Sequence, residues 1–262
     1  MNDEELLKCK EKASSGNPDA IIKLADYYLE IGDKEKAFLA ITRFSYVNSV
    51  IGKRKLGYFY HYGIGCEIDI EKALFYYRIA YEQGDYISGY NIALILLKEE
   101  KYDECIPYLT FGMMNNHVNS IKLLASFYLK GFGIDVNQNI AINLYSRCIE
   151  LGDNSCYNKI GMIYYQNGEC DLAVQYFQKA ADLMDLDGIY HLAICYSKGQ
   201  GVPMDEIKAV HLYEIAANNN HLKSIYNLAI HYQNGIGVEK DLDKANQLFE
   251  LHLKMKNVKI DL

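Results

Sequence analysis

Apolar residues recur along the chain at intervals of three and four, as they do on one face of an α-helix. Seven segments share a pattern in which a small residue follows Leu or Ile, and six of them place a tyrosine three positions later. These small residues, the first anchors, are Ala25, Gly57, Ala93, Ala125, Gly161, Ala193 and Ala229. They are separated alternately by 32 and 36 residues, and periods of this size indicate a helical repeat protein.

A second apolar helical pattern follows each first pattern and is also built around a small residue. These second anchors are Ala37, Ala73, Cys105, Ala141, Ala173, Ala209 and Ala245. A first anchor precedes its second anchor by 12 or 16 residues, whereas a second anchor always precedes the next first anchor by 20. All variation in length therefore lies in the turn inside each helical pair, and the spacing predicts seven stacked hairpins.

The connections between hairpins carry signals that end one helix and begin the next. The position nine residues before each first anchor is occupied by Gly16, Asn48, Gly84, Asn116, Gly152, Met184 and Asn220. Six of these seven are Gly or Asn, which accept the left-handed backbone of a helix C-terminus. The following position holds polar side chains, most of which are able to cap a helix: Asn17, Ser49, Asp85, His117, Asp153, Asp185 and His221.

The paired glycines of the longer turns allow two interpretations. A G-x-G segment is either the start of a phosphate-binding loop or the turn of a helical hairpin. It occurs only where the anchors are 16 apart, as Gly63-Ile64-Gly65, Gly131-Phe132-Gly133, Gly199-Gln200-Gly201 and Gly235-Ile236-Gly237. Each follows a tyrosine-rich helical segment, and neither G-x-G-x-x-G nor G-K-[ST] completes it. We predict a turn and then a helix start at Asp69, at Asn137 or Asn139, at Asp205 and at Asp241.

The longer hairpins resemble the Sel1-like repeat, whose pattern of L-G-x-x-Y-x-x-G-x-G-V-x-x-D-x-x-K-A is matched at residues 55–85, 191–217 and 227–250. The shorter hairpins resemble tetratricopeptide repeats. The resemblance implies an all-α fold, a right-handed α-α superhelical solenoid of seven repeats at residues 19–255. We expect a capping helix at residues 1–18 and a frayed tail at residues 256–262. The third hairpin departs from the pattern with Cys105 and Pro107, so we expect its second helix to begin at a shifted position.

The resemblance to tetratricopeptide repeats also implies a concave groove lined by the first helix of each hairpin. Relative to the first anchor, positions −1 and +3 are expected in the core, whereas −3, +1, +4 and +5 turn towards the groove. The predicted peptide-binding residues are Arg54, Tyr58, His61, Tyr90, Lys122, Asn158, Met162, Tyr165, Tyr190 and Tyr226. Tyrosine offers a large contact area with few rotatable bonds, which suits recognition of a peptide. The alternative for each tyrosine is packing between repeats.

Composition and charge narrow the classes of function. Half of the 262 residues are hydrophobic, yet no apolar run is long enough to span a membrane, and no secretory signal is present. We therefore expect a cytoplasmic protein, with non-classical export left open. The formal charge of −7 argues against binding of nucleic acid. The seven cysteines form no C-x-x-C and are expected to be reduced and mostly buried, although Cys148 and Cys156 are close enough in sequence to bridge neighbouring helices.

Three functions remain open from the sequence. The leading hypothesis is a non-catalytic adaptor that binds a segment of a partner protein. The second is a self-assembling or host-interaction repeat protein that stacks through its terminal repeats, possible as a homo-oligomer because the last helix carries Leu248, Phe249, Leu251, Leu253 and Met255. The third, a β-lactam- or peptidoglycan-related hydrolase, is disfavoured because the chain has no S-x-x-K. His211 and Glu214 form a lone helical pair rather than a metal site, and we expect neither a metal nor a cofactor.

Overall fold

The structure is a computed structural model that describes residues 1–43 and 49–258. Those residues form fifteen α-helices and contain no β-strand. The chain divides into two compact units, Met1–Asp135 and Val136–Leu262. The first unit contains α1 (Asp3–Ser14), α2 (Pro18–Glu30), α3 (Lys34–Arg43), α4 (Val50–Tyr62), α5 (Ile70–Glu82), α6 (Tyr86–Lys98), α7 (Tyr102–Met114) and α8 (Val118–Lys130). The second contains α9 (Gln138–Glu150), α10 (Cys156–Gln166), α11 (Cys170–Asp182), α12 (Leu186–Lys198), α13 (Glu206–Asn218), α14 (Leu222–Asn234) and α15 (Leu242–Val258).

The even-numbered helices carry the first anchors and the odd-numbered helices from α3 onwards carry the second anchors. Within each unit, helices that are adjacent in sequence pack against each other, which is the arrangement of stacked hairpins. The helix α15 continues to Val258 and so covers the first three residues of the predicted tail. Residues 259–262 lie outside the described part of the chain.

The signals between hairpins act as predicted. Positive φ angles occur at Gly16 (84°), Gly84 (90°), Asn116 (57°), Gly152 (94°) and Asn220 (63°). Met184, which departs from the Gly or Asn pattern, also adopts a left-handed φ of 59°. Asn48, the remaining member of the series, lies outside the described residues. The geometry of the connection therefore overrides the residue type at Met184, and the helix that follows begins seven residues before its first anchor, as in five other hairpins. The helix α10 differs, because it begins only five residues before Gly161.

Side-chain caps follow these left-handed residues. The side-chain oxygens of Asn17, Ser49, Asp85 and Asp185 each accept a hydrogen bond from the backbone N–H three residues later, at 2.7–3.1 Å. Such caps satisfy amides that the first turn of a helix leaves without partners. His117 differs, because its ring Nδ1 contacts the Ser120 hydroxyl at 2.8 Å and caps no backbone amide.

The G-x-G segments are turns, as predicted. The first glycine ends a helix in the left-handed conformation, as at Gly63 with φ of 65°. The second glycine lies against the start of the second helix of the preceding hairpin: a Cβ at Gly201 would collide with the carbonyl of Cys170. The following helices are capped by Asp69, Asn137, Asp205 and Asp241, which settles the choice between Asn137 and Asn139.

The core confirms both sets of anchors, since every second anchor and every alanine among the first anchors is at most 1% exposed. The predicted core position +3 is corrected: its tyrosines are partly exposed in five of six cases, and position +2 is buried instead in six of seven hairpins, with Tyr27 partly exposed. The buried +2 residues are Phe59, Ile95, Phe127, Ile163, Cys195 and His231. Tyrosine is long enough to lie flat on the second helix of its own hairpin, as Tyr60 stacks on Tyr76 with ring centroids 5.9 Å apart.

The third hairpin is more regular than its sequence suggests. Every second helix begins three residues before its anchor, and α7 begins at Tyr102, three residues before Cys105. The expected shift of its start is therefore wrong. Pro107 lies in the second turn of α7, and the Cys105 thiol donates to the carbonyl of Ala93 at 3.4 Å. Packing against α6 holds the start of α7 in register despite the proline.

Candidate protein-binding faces

Residues at positions −3, +1 and +4 lie on one side of a helix because they are separated by four and three residues. In the first unit this face of α4 exposes a group of aromatic rings. Tyr58 is 43% exposed and Tyr62 is 50% exposed, with their ring centroids 4.6 Å apart. The His61 ring stacks on Tyr62 at 4.3 Å. Together these rings form an exposed aromatic surface on α4.

Arg54, at the start of the same face, is already engaged within the protein. Its Nη1 donates to Asp85 Oδ1 at 2.6 Å, and the Asp85 side chain is only 9% exposed. The other oxygen of Asp85 accepts the Ser88 amide and so caps α6. Arg54 therefore ties α4 to the beginning of α6, and the predicted grip on a ligand carboxylate would require this ion pair to open.

Tyr90 on α6 connects the aromatic surface of α4 with α8. Its ring lies 5.1 Å from that of His117. Burial raises the pKa of the Tyr90 hydroxyl, Lys122 on α8 lowers it, and Tyr62 on α4 raises it. Tyr90 thus contacts His117 directly and is influenced electrostatically by Lys122 and Tyr62.

The charge of Lys98 on α6 acts on the His61 imidazole. Burial lowers the pKa of His61, and the nearby charge of Lys98 on α6 lowers it further. Both effects favour the neutral imidazole. The Nδ1 atom of His61 is buried and has no hydrogen-bond partner among the described residues.

Tyr77 lies directly beneath the aromatic surface of α4. The Tyr77 side chain on α5 packs its ring against Gly57 of α4. A Cβ added at Gly57 would lie 2.6 Å from that ring. The hydroxyl is buried and has no hydrogen-bond partner among the described residues, and burial raises its pKa. Tyr213 holds the corresponding place in the second unit, and its hydroxyl accepts a hydrogen bond from Asn227 Nδ2 at 3.2 Å. The tyrosine hydroxyl at this position therefore has a hydrogen-bond partner at Tyr213 and none among the described residues at Tyr77.

Asn158 and Tyr165 on α10 are partly committed to contacts inside the second unit. Asn158 is only 5% exposed, and its Oδ1 lies 2.8 Å from His191 Nδ1, which donates to it if the proton is on that nitrogen. Tyr165 donates to Gln200 Oε1 at 2.5 Å. Met162 remains partly exposed between them. Asn158 thus positions its neighbours rather than presenting a free amide.

Tyr190 and Tyr226 are the remaining residues of the predicted peptide-binding set. Tyr190 is half-buried, with its ring 5.2 Å from His221 and 6.1 Å from Tyr213. Tyr226 is 45% exposed, and its ring packs edge-on against Phe249 at 5.7 Å. The alternative of packing between repeats therefore describes Tyr190, whereas Tyr226 presents much of its surface.

In the described ranges, no group of three His, Cys, Asp or Glu side chains is placed to hold a metal ion. Glu214 accepts a hydrogen bond from the Tyr232 hydroxyl at 2.8 Å, so it serves as a structural partner. Five of the seven cysteines are buried, as expected. None of the helices in the described ranges has both the length and the apolar character needed to cross a membrane.

Stacked helical hairpins with partly exposed first-helix faces define the class of helical-repeat proteins that commonly serve as protein-interaction scaffolds. Sel1 repeats are recognised at residues 51–85, 120–153, 186–221 and 222–251, which is more than half of the chain. A tetratricopeptide repeat is recognised at residues 155–183. The protein belongs to the Sel1 repeat family. The four Sel1 matches are the four hairpins with the longer turn, which confirms the resemblance seen in the sequence.

Solved structures confirm the fold class. A Sel1 repeat protein from Oxalobacter formigenes is 25% identical, with a TM-score of 0.74 over 88% of this chain and 96% of that one. The protective antigen c5321 of uropathogenic Escherichia coli is 22% identical, with a TM-score of 0.77 over 97% of this chain and 59% of its own. The prediction of an all-α Sel1-like solenoid is therefore confirmed.

Two longer proteins share part of their sequence with this chain. The sel1-like repeat-containing protein L21 of Acanthamoeba polyphaga mimivirus is 33% identical over 117 residues, 45% of this chain and 22% of L21. The uncharacterized protein NMB1327 of Neisseria meningitidis is 27% identical over 143 residues, 54% of this chain and 30% of NMB1327. The chain thus spans less than a third of the length of either relative.

Three residues of these faces were absent from the predicted binding set: Tyr62, Tyr77 and Lys98. Tyr62 and Lys98 occupy position +5, which the register turns towards the groove, so the pattern contained a signal for them. Tyr77 belongs to a second helix and reaches the face only because Gly57 leaves room for its ring. No pattern within a single helix reveals such a contact.

Proposed function

We propose that this protein is a non-catalytic scaffold that binds a segment of a partner protein along the first-helix faces of its repeats. The Sel1 repeat family is generally a family of non-catalytic scaffolds. The observation that carries the proposal is the exposure of Tyr58, Tyr62 and Tyr226 on first helices. Large exposed aromatic side chains clustered on one face are typical of surfaces that bind other proteins.

Buried and partly buried members of the predicted set hold in place the helices that carry the exposed members. Arg54, Asn158 and Tyr190 hold neighbouring helices together through Asp85, His191 and His221 respectively. A rigid backbone beneath the exposed rings reduces the entropy that a peptide-binding surface loses on binding. Tyr58 and Tyr226 would therefore make contacts, whereas Arg54 and Asn158 would keep those contacts in place.

Site-specific photo-crosslinking tests this proposal. A photoreactive phenylalanine analogue is placed at Tyr58 or at Tyr226, and the purified protein is irradiated in an extract of the organism that carries the gene. Phe75, which is 59% exposed on the second helix α5, is the matched control position. We expect a partner to be crosslinked from Tyr58 or Tyr226 and not from Phe75. Crosslinks from Phe75 alone would move the binding surface to the second helices.

Self-assembly through the last hairpin is the second candidate. In α15, Leu248, Phe249 and Met255 pack against the core of the second unit, whereas Leu253 remains 57% exposed and Leu251 40% exposed. An exposed apolar strip on a terminal helix is able to pair with a second copy. Sedimentation over a wide concentration range tests this candidate, and a monomer throughout would remove it.

A further inference from the structure

The helix α15 carries an exposed apolar stripe along one side. Leu242, Phe249 and Leu253 are separated by seven and four residues, so their side chains share one side of the helix. Leu242 is 52% exposed, Leu253 is 57% exposed, and Phe249 is partly exposed. We call these three residues the α15 stripe.

The earlier hairpins show that stripe positions of this kind are normally covered by the next helix. Phe249 lies four residues after its second anchor, and the six equivalent residues are at most 5% exposed: Ile41, Tyr77, Leu109, Tyr145, Phe177 and Tyr213. Leu253 is equivalent to Ala217, which is 8% exposed and shares a core cluster with Ile225 of α14. No helix of the described residues follows α15, so Phe249 and Leu253 have no such cover.

A hairpin stacked in the usual way would collide with α15. Successive hairpins approach closely where a small residue, seven positions after the second anchor, meets the next first helix. At Ala180, for example, a Cβ added at Gly188 would lie 2.4 Å from the alanine Cβ. His252 occupies this position in α15, and its Nδ1 lies 3.0 Å from the carbonyl oxygen of Leu222. A partner that covers the stripe therefore has to pack in a different orientation.

Charge along α15 makes the helix complementary to itself in the antiparallel direction. Residues 239–250 contain four carboxylates and two lysines, whereas residues 251–257 contain two lysines and no carboxylate. Those two lysines, Lys254 and Lys256, are exposed and make no ion pair with any described residue. Two α15 helices that run in opposite directions bring each basic end against an acidic beginning.

The beginning of α15 also provides a concave surface. A cavity of 860 Å³ is lined by Leu242 of the α15 stripe and by the carboxylates of Glu239 and Asp243. Two lysines also line it, one of which is held over a tyrosine ring. An apolar side chain with a lysine close by matches this surface. The far end of α15 provides both, as Leu253 and Lys256.

We propose that α15 pairs with α15 of a second copy of the chain in an antiparallel, two-fold symmetric dimer. This inference rests on the second candidate function, self-assembly through the last hairpin, and specifies its geometry. Leu242 of each copy packs against Leu253 of the other, with the Phe249 rings near the axis. The same register places Lys256 opposite Glu239 of the other copy. Such a pairing closes after two copies, because each stripe is used once.

Sedimentation velocity of the full chain, from about 1 μM to about 300 μM, tests the inference. We expect the mass to rise with concentration to that of two copies and no further. Leu253→Glu should weaken the dimer about 100-fold, because symmetry places two carboxylates in the apolar interface. Far-UV circular dichroism checks that the variant keeps its helical fold.

Ile207→Glu is the matched control variant. Ile207 is 73% exposed on the second helix α13, so its substitution removes exposed apolar area and adds the same charge. Dimer affinity of this variant should stay within about two-fold of wild type. Equal weakening by both substitutions would show that the α15 stripe is not the interface and would overturn the inference.

Charge reversal tests the antiparallel register. Lys256→Glu and Glu239→Lys should each weaken the dimer about five-fold, because each pair occurs twice in the symmetric arrangement. Both substitutions in one chain reverse every pair, so the double variant should return to within about two-fold of wild type. A double variant weaker than either single variant would contradict this register and with it the inference.

The remaining outcomes separate this inference from the functions proposed above. Masses that keep rising beyond two copies would overturn the inference and leave self-assembly standing. A wild-type protein that stays monomeric at every concentration would contradict both the inference and self-assembly. The scaffold function is judged independently, by the crosslinks from Tyr58.

Discussion

The ammonium group of Lys208 lies 4.2 Å from the ring centroid of Tyr196 and donates a 2.8 Å hydrogen bond to its hydroxyl. The cation–π part of this relationship, between the lysine before a second anchor and the +3 tyrosine of its hairpin, recurs at Lys36 and Tyr28, Lys72 and Tyr60, and Lys244 and Tyr232. The hydrogen bond to the hydroxyl recurs at Lys244 and Tyr232. The pairing explains why Lys precedes the small residue in these hairpins. The lysine holds the outer edge of the tyrosine ring against the second helix, outside the packed core.

Removing the charge of Lys208 should destabilise the hairpin. We expect Lys208→Met, which keeps the aliphatic chain, to lower the free energy of unfolding by about 1 kcal/mol, since both a cation–π contact and a hydrogen bond are lost. Urea unfolding followed by far-UV circular dichroism measures the change. Lys254→Met, at an exposed lysine of α15, should have little effect. Equal effects of the two substitutions would mean that the contact with Tyr196 contributes nothing.

Substitution of the second glycine of a long turn should be destabilising for two reasons. Gly201 has φ of 74°, and a methyl group there would collide with the carbonyl of Cys170. Gly168, in a short turn of the same unit, has φ of 80° and nothing within 4 Å of its Cβ position. The two glycines share the left-handed backbone and differ in free space.

Alanine substitution should separate these two effects. We expect Gly168→Ala to lower the free energy of unfolding by about 1 kcal/mol, the penalty for an alanine in the left-handed region. Gly201→Ala should cost about 3 kcal/mol, because the turn also has to move away from α11. Thermal and urea unfolding of the two variants are compared. A Gly201→Ala protein as stable as Gly168→Ala would show that the close approach is relieved easily.

The tyrosines Tyr77 and Tyr213 offer a test of an unsatisfied hydroxyl. Tyr77→Phe removes a buried hydroxyl that has no hydrogen-bond partner among the described residues, so stability should stay equal or rise by about 1 kcal/mol. Tyr213→Phe removes the acceptor of Asn227 and should lower stability by about 1 kcal/mol. The two variants carry the same chemical change, and only Tyr213→Phe should lower the free energy of unfolding. Destabilisation by Tyr77→Phe as large as that by Tyr213→Phe would show that the Tyr77 hydroxyl is satisfied in solution.

Stability should fall in mild acid because of His191. Burial lowers the pKa of His191 from 6.5 to about 4. Above pH 6.5 the imidazole is neutral in both the folded and the unfolded chain, so its contribution is fully present there. As the pH falls towards about 4, only the unfolded chain gains a proton, and the folded state loses stability by at most about 3 kcal/mol, at about 1.4 kcal/mol per pH unit.

A His191→Gln variant provides the control for this pH dependence. Glutamine does not titrate, so the fall in the free energy of unfolding between about pH 7 and pH 4 should be smaller than in wild type. Some dependence should remain, because burial also lowers the pKa of His61 and His117. Unfolding is measured at several pH values for both proteins. An unchanged slope would show that His191 is not the group responsible.

Local features of the chain were predictable because each depends on residues close in sequence. Helix stops at Gly16 or Asn116 follow from backbone preferences, and the caps at Asp69 or Asp205 follow from side chains three residues from the amide they bind. The repeated spacing of small residues likewise predicted the burial of the anchors themselves, although it placed position +3 rather than +2 in the core. The fold class and the seven hairpins therefore come from the sequence alone.

The composition of the candidate binding faces depended on the tertiary structure, because it is decided by contacts between helices about a repeat apart. Arg54 meets Asp85, 31 residues away, and Asn158 meets His191, 33 residues away, so both lose part of the freedom that their positions suggest. Tyr77 reaches the face of another helix because Gly57 has no side chain. Sequence periodicity orients a side chain on its own helix, whereas the neighbouring repeat decides what that side chain touches, and only the packed structure contains that neighbour.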